Sequence, residues 1–420
     1  MATRDGRTGQ LKGAELERRV GLVEFADGSL VRLRHPVTQQ IDGRRRIVTD
    51  VDVLSLEFDS RLRPRVGITE CKSTRGQAGE QDRLLWLKGL QTVVGADRAA
   101  LVREVVSSAG RDLARILNLD LISQDEIGRR ERLLTHLPTS FGLFGETPYA
   151  EAVKAAEGQL KLIGDLPSGL VAFLRDDALL AEPHQVLGAL ITLDEITKSG
   201  TVLPGPLASI VAGYALTALM LAAIRAGGRT DTVGLDGARR EIELGLGSGD
   251  PNDKQMLRVA EMADRLLREE LRSIHMAYRA QGANGIERRV PSVRAAIAEP
   301  PFWLPRFMDL AERLRRRTPI ARQLPQTIDL AVLDALPGGS AWLSPAFDGL
   351  FTREHRQAIV IAVDCLERAV PAISRHVHGV LDLKFDRGAT AALVDQPSGV
   401  SGTTQTLPAA TSEEDQSPGA

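Results

Sequence analysis

The chain is poor in cysteine. Among 420 residues there are two, Cys71 and Cys365. They are far apart and belong to no CxxC motif or Cys/His cluster, which argues against a structural zinc site and a disulfide framework. Free thiols fit a reducing compartment. The polar stretch Met1 to Gln10 offers no apolar core of a secretory signal, so a cytoplasmic location is the expectation. Aromatic residues are scarce at 4%, and the interior should be aliphatic. An excess of charge of one sign is missing too. The net value is −2, so any attraction for a polyanion must come from a local patch. No repeat of fixed period is visible.

Long apolar runs are almost absent. Pro206 to Ile224 is the exception. Its length approaches the ~20 residues needed to span a bilayer. Gly213, Tyr214, Thr217 and many alanines keep it only moderately apolar. The run is expected to be the buried central helix of a soluble domain, and a membrane partner is not expected.

What is present has two characters. Up to about Glu131, short apolar runs alternate with helical stripes. Helical spacing covers Leu11 to Val23, a turn follows at Ala26–Ser29, and a short strand from Leu30 ends before Pro36. Ile47 to Phe58 and Val66 to Lys72 read as strands joined by the polar Asp59–Arg65 loop. Gln81 to Val94 is a helix stopped by Gly95. Ala99 to Val106 is a strand, Ala109 to Leu117 a helix, and Leu119 to Ser123 a last strand. The order α-β-β-β-α-β-α-β predicts an α/β domain over 10–131, a mixed sheet flanked by helices. From Tyr149 to about Asp386 nearly all patterns are helical, which predicts a mainly α-helical domain over 149–386. Its expected helices are 149–163, 168–181, 183–198, 206–226, 251–281, 291–298, 302–317, 326–335 and 353–383. The tail 387–420 is rich in Gly, Ser, Thr, Pro and acid, a composition that predicts disorder.

The chemistry concentrates in Asp50-Val51-Asp52-Val53-Leu54 and Glu70-Cys71-Lys72-Ser73. Strand alternation sends Glu70 and Lys72 to one face and Cys71 to the other. A hairpin pivoting near residues 61–62 would set Asp52 opposite Glu70 or Lys72. Two carboxylates then converge with an ammonium in an otherwise apolar hairpin. Charge there is costly unless it is paired or holds a cation. Two carboxylates suit Mg²⁺ (or Mn²⁺), and a lysine beside them can face a phosphate oxygen or a water. The plainer reading is a cross-strand salt bridge, Asp52–Lys72 or Glu57–Arg65.

With Gly13, Leu16 and Glu17 on the first helix, this order of elements and motifs resembles the PD-(D/E)xK restriction-endonuclease-like superfamily, nearest to its Mrr-like and defence nucleases. The resemblance covers roughly residues 10–130. It implies Asp52, Glu70 and Lys72 as catalytic residues, and Asp52 and Glu70 as metal ligands joined by Glu17 from the helix. It also implies action on nucleic acid, DNA rather than RNA, in defence against foreign DNA. Glu15 competes with Glu17 for the helix position. The aspartate lacks the preceding proline of the family pattern.

Around the motif, Arg44, Arg45 and Arg46, with Arg32, Arg34 and His35, could hold a phosphate backbone or simply be a solvated loop. Ser73 and Arg75 are further candidates for substrate contact, against an ordinary polar loop. The Arg313–Arg322 cluster reads as a solvated helix face. The helical domain is a candidate for binding a partner protein or a second copy of the chain. Two other readings stay open: a non-catalytic nucleic-acid-binding or assembly module of the same fold, and a membrane-associated protein.

Overall fold

The computed structural model describes residues 4–41, 44–72, 79–139, 141–144, 147–248, 254–282 and 300–386. The N-terminal region follows the expected order. Helix α1 (Arg4–Ala26) leads to strands β1 (Leu30–Ile41), β2 (Arg44–Phe58) and β3 (Pro64–Lys72). Then come α2 (Glu80–Val94), β4 (Arg98–Arg103), α3 (Ser108–Leu117), β5 (Asp120–Ser123) and α4 (Gln124–Glu131). The five strands lie in sequence order. The first two junctions are antiparallel and the last two parallel, so the sheet is mixed. Both faces are covered. Leu54, Leu56 and Ile68 pack with Leu84, Leu87 and Leu90 of α2, while Val53 and Cys71 pack with Leu16 and Val20 of α1.

Two strands run further than the sequence suggests. β1 does not stop before Pro36 but continues to Ile41, with Pro36 opposite Asp50. Proline is tolerated because β1 is an edge strand, where a missing amide donor costs no ladder bond. β2 begins at Arg44, so the arginine tract is strand and not loop. The helix α4 is also additional to the expected elements.

The remainder is helical. Elements α5 (Thr147–Leu160), α6 (Ser168–Arg175) and α7 (Pro183–Lys198) precede a long α8 (Gly205–Ser248), kinked at Gly234, which has φ 73°. After α9 (Lys254–Ala280) come α10 (Leu304–Arg316), α11 (Thr318–Asp329), α12 (Arg353–Ala369) and the short α13 (Pro371–Ser374). Expected helix 291–298 and the tail 387–420 lie outside the described residues. The apolar run of α8 is helical, as its composition predicts, and the helix runs on past residue 226. Among the described residues α8 alone is long and apolar enough to cross a membrane, and 94% of its apolar window is buried inside the fold. By contrast, α9 exposes Val259, Met262, Leu266 and Ile274. Arg313 and Arg316 pair with Asp309 and Glu312 on their own helix, as a solvated charged face would.

Sheet and helices share an apolar interior in which Leu54, Phe58 and Ile68 continue into Leu219, Leu310 and Leu324. The β2–β3 turn is where they lock. Asp59 Oδ1 accepts the Arg61 and Arg63 amides, and Leu62 takes a left-handed φ of 57°. Its side chain is buried against α8. Gly228 allows this approach, since a methyl group there would lie 2.5 Å from the Leu62 carbonyl oxygen. On the other side of the turn, Arg322 Nε donates to the Phe58 carbonyl at 2.7 Å. Gly228→Ala is therefore expected to cost about 1–3 kcal/mol by overpacking. A urea titration would read this as a lower midpoint at unchanged slope; an unchanged midpoint would refute the tight approach.

Candidate active site

The β2–β3 hairpin aligns Val53 with Thr69 and Leu54 with Ile68. One further step along this register sets Asp52 across from Glu70, on the face that packs under α2. Lys72 is two residues on, on the same side. The turn that fixes this pairing is the one clamped by α8.

Each charged group has a defined partner. Asp52 is half-buried, and its Oδ2 accepts the Cys71 amide at 2.7 Å. Glu70 is buried, with Lys72 Nζ at 2.6 Å from its Oε1 and Arg83 Nη2 at 3.7 Å. The plainer cross-strand bridges are not what forms: Lys72 pairs along its own strand with Glu70, and Arg65 pairs with Asp97. Glu17 is buried on α1 and accepts from Arg34 Nε at 2.7 Å. Glu15 is exposed and meets Arg18 instead. Arg34 falls between the Leu33–Val53 and His35–Val51 pairs of the β1–β2 register and has a left-handed φ of 51°, a conformation costly for a side chain other than glycine. Three carboxylates from three elements thus share their surroundings with Arg34, Lys72 and Arg83.

Burial and then the charge of Glu70 push the Asp52 carboxyl up to about 6, against the Cys71 amide and Lys72; Glu17 adds to the rise. Desolvation, reinforced by Asp52, likewise drives the Cys71 thiol far up, so it stays protonated. Asp52 carries a pH signature. An aspartate in the unfolded chain titrates near ~3.9. Between there and about 6 the folded protein keeps a proton that the unfolded chain gives up. Asp52 therefore lowers stability progressively as pH rises through that window, and the penalty is complete above it. Asp52→Asn is expected to raise the melting temperature of the metal-free protein at about pH 7.5 and much less at about pH 4. A mutant-minus-wild-type difference that stays flat with pH would count against the shift.

The other expected contacts diverge. Arg45 is held by Asp177, with Nε to Oδ2 at 2.5 Å, and Thr38 joins that carboxylate at 2.8 Å. Arg46 is exposed. The side chain of Arg44 and the whole of Ser73 and Arg75 lie outside the described residues. Arg34 is a candidate phosphate contact in the sequence but pairs with Glu17 in the structure, and Arg83 was not among the sequence-derived site residues. The signal for Arg83 is weak, a lone cation in the first turn of the helix after the motif.

Among the described residues no group of three or more His, Cys, Asp or Glu side chains gathers closely enough to hold a metal. Two carboxylates remain, Asp52 and Glu70. The donor set fits Mg²⁺, which is commonly held by one or two carboxylates with water and phosphate completing the shell. Compared with known protein families, curated proteins and solved structures, the chain matches none.

Proposed function

We propose that the N-terminal unit is a Mg²⁺-dependent nuclease of the PD-(D/E)xK type, acting on DNA, and that the helical region braces its hairpin. The observation that carries this reading is the juxtaposition of Asp52, Glu70 and Lys72 on one face of the β2–β3 hairpin, with the Asp52 carboxyl pushed up to about 6. A catalytic carboxylate is commonly perturbed in this way, by burial plus a named charged neighbour.

Asp52 and Glu70 would hold the ion, with Glu17 behind them. Bound there, Mg²⁺ would polarise the phosphate and favour ionisation of a water. The chain's own residues do the rest. Lys72 carries a positive charge to a phosphate oxygen or orients the attacking water. The Cys71 amide fixes the Asp52 carboxylate by its 2.7 Å hydrogen bond. Arg83 and Arg34 offset the charge of Glu70 and Glu17 until substrate arrives.

The pairing of Glu70 with Lys72 and of Glu17 with Arg34 also favours a second reading, a nucleic-acid-binding module whose carboxylates are neutralised internally. Calorimetric titration with MgCl₂ and MnCl₂, alongside cleavage assays on single- and double-stranded DNA and RNA, separates the two. The nuclease reading expects metal binding and EDTA-sensitive cleavage. Nucleic-acid binding with neither would favour the second.

A further inference from the structure

Helix α2 buries Leu84, Leu87 and Leu90, and that stripe meets its packing needs. Trp86 lies off the stripe. The chain has three tryptophans; Trp303 and Trp342 are buried, while Trp86 is 36% exposed and its neighbour Leu85 is 55% exposed. In a protein so poor in aromatics, an exposed indole on the helix that follows the motif calls for a reason. It is also tied to the site. The Arg83 guanidinium carbon lies 4.8 Å from the Trp86 ring centre, and Arg83 Nη2 lies 3.7 Å from Glu70 Oε1. One guanidinium therefore bridges the indole and a carboxylate of the candidate centre.

We propose that Trp86 is a base-stacking platform, which makes the substrate a nucleic acid with an unpaired nucleotide beside the scissile phosphate. The inference rests on the nuclease reading. A planar guanidinium against an aromatic ring is a stable pair and leaves the remaining donors to reach a phosphate oxygen. The base attached to that phosphate would then meet the indole. In a duplex both faces of a base are taken by its neighbours, so only an unpaired or extruded base can present a face to Trp86. Stacking of this kind is indifferent to base identity, so the preference falls on strandedness rather than sequence.

The test uses the full-length chain with Ca²⁺ replacing Mg²⁺, and a short fluorescein-labelled DNA strand and the blunt-ended duplex it forms with its complement as probes. Trp86→Leu keeps apolar bulk but has no π face, and Trp86→Phe keeps the face. Leu should weaken single-strand binding about tenfold and duplex binding less than about twofold, and Phe should restore most of the loss. Single-strand binding should quench wild-type tryptophan emission, and Trp86→Phe should lose that quenching. If Leu binds single strands like the wild type, or weakens both probes alike, the stacking role is wrong while the nuclease reading stands. If the wild type binds neither probe, both fall.

Discussion

Asp52→Ala, Glu70→Ala and Lys72→Ala are each expected to reduce Mg²⁺-dependent cleavage by at least ~10²–10³-fold, the usual cost of removing one group that stabilises developing charge. The three should differ in metal binding. Asp52→Ala and Glu70→Ala remove oxygen donors, so calorimetry should show weakened uptake of MgCl₂ or MnCl₂. Lys72→Ala leaves both carboxylates and removes the cation 2.6 Å from Glu70, so metal uptake should persist or strengthen while cleavage is lost. Glu70→Ala also strips a partner from Lys72 and Arg83, so Glu70→Gln is the control that keeps the shape. Cys71→Ser should cost little activity, because the Asp52 contact comes from the Cys71 backbone and its side chain lies on the α1 face. Cleavage that survives all three alanine changes would place the chemistry elsewhere in the chain.

The hairpin was legible because its signals are local. A pivot near residues 61–62 follows from two apolar runs flanking a polar loop and leaves Asp52 opposite Glu70 or Lys72; the observed register, which runs to Val53 with Thr69, favours Glu70. Element order was legible for the same reason: Gly95 ends α2 in a left-handed cap with φ 70°, and Pro183 opens α7. The course of β1 was not. Pro36 reads locally as a strand end, and whether a strand lies at a sheet edge is decided by tertiary structure. Similarly, Gly227, Gly228 and Gly234 suggest a break after residue 226, yet the helix carries through the first two because Leu62 and α10 press close there. Arg45, read as a phosphate contact or a solvated loop residue, found Asp177, a residue 132 positions away that no local pattern could nominate.

Asp329→Ala is expected to be the most destabilising of the substitutions considered. Asp329 is 2% exposed at the end of α11, where the helix passes into a π-turn at Leu330–Ala335. It receives Arg32 of β1 through two hydrogen bonds, Nη1 to Oδ2 at 2.6 Å and Nη2 to Oδ1 at 2.7 Å. Arg32 also donates to the Val31 carbonyl at 2.8 Å. Burial pulls the Arg32 guanidinium down, and the Asp329 carboxylate more than restores it, leaving it above its usual range. Removing the carboxylate leaves a guanidinium in the interior with no counter-charge, at a cost of about 3–5 kcal/mol. That is a large part of the ~5–15 kcal/mol by which folded domains are stable. Replacing both partners by apolar residues, Arg32→Met with Asp329→Leu, removes the stranded charge and should recover most of the loss. Because Arg32 is two residues from Arg34 on the strand that borders Asp52, the double variant also separates bracing from chemistry. If it folds with wild-type stability but cleaves more slowly, the buried pair sets the position of β1 at the site. If Asp329→Ala shifts the urea midpoint by an amount equivalent to less than ~1 kcal/mol, the pair does not bind helices to sheet as its geometry implies.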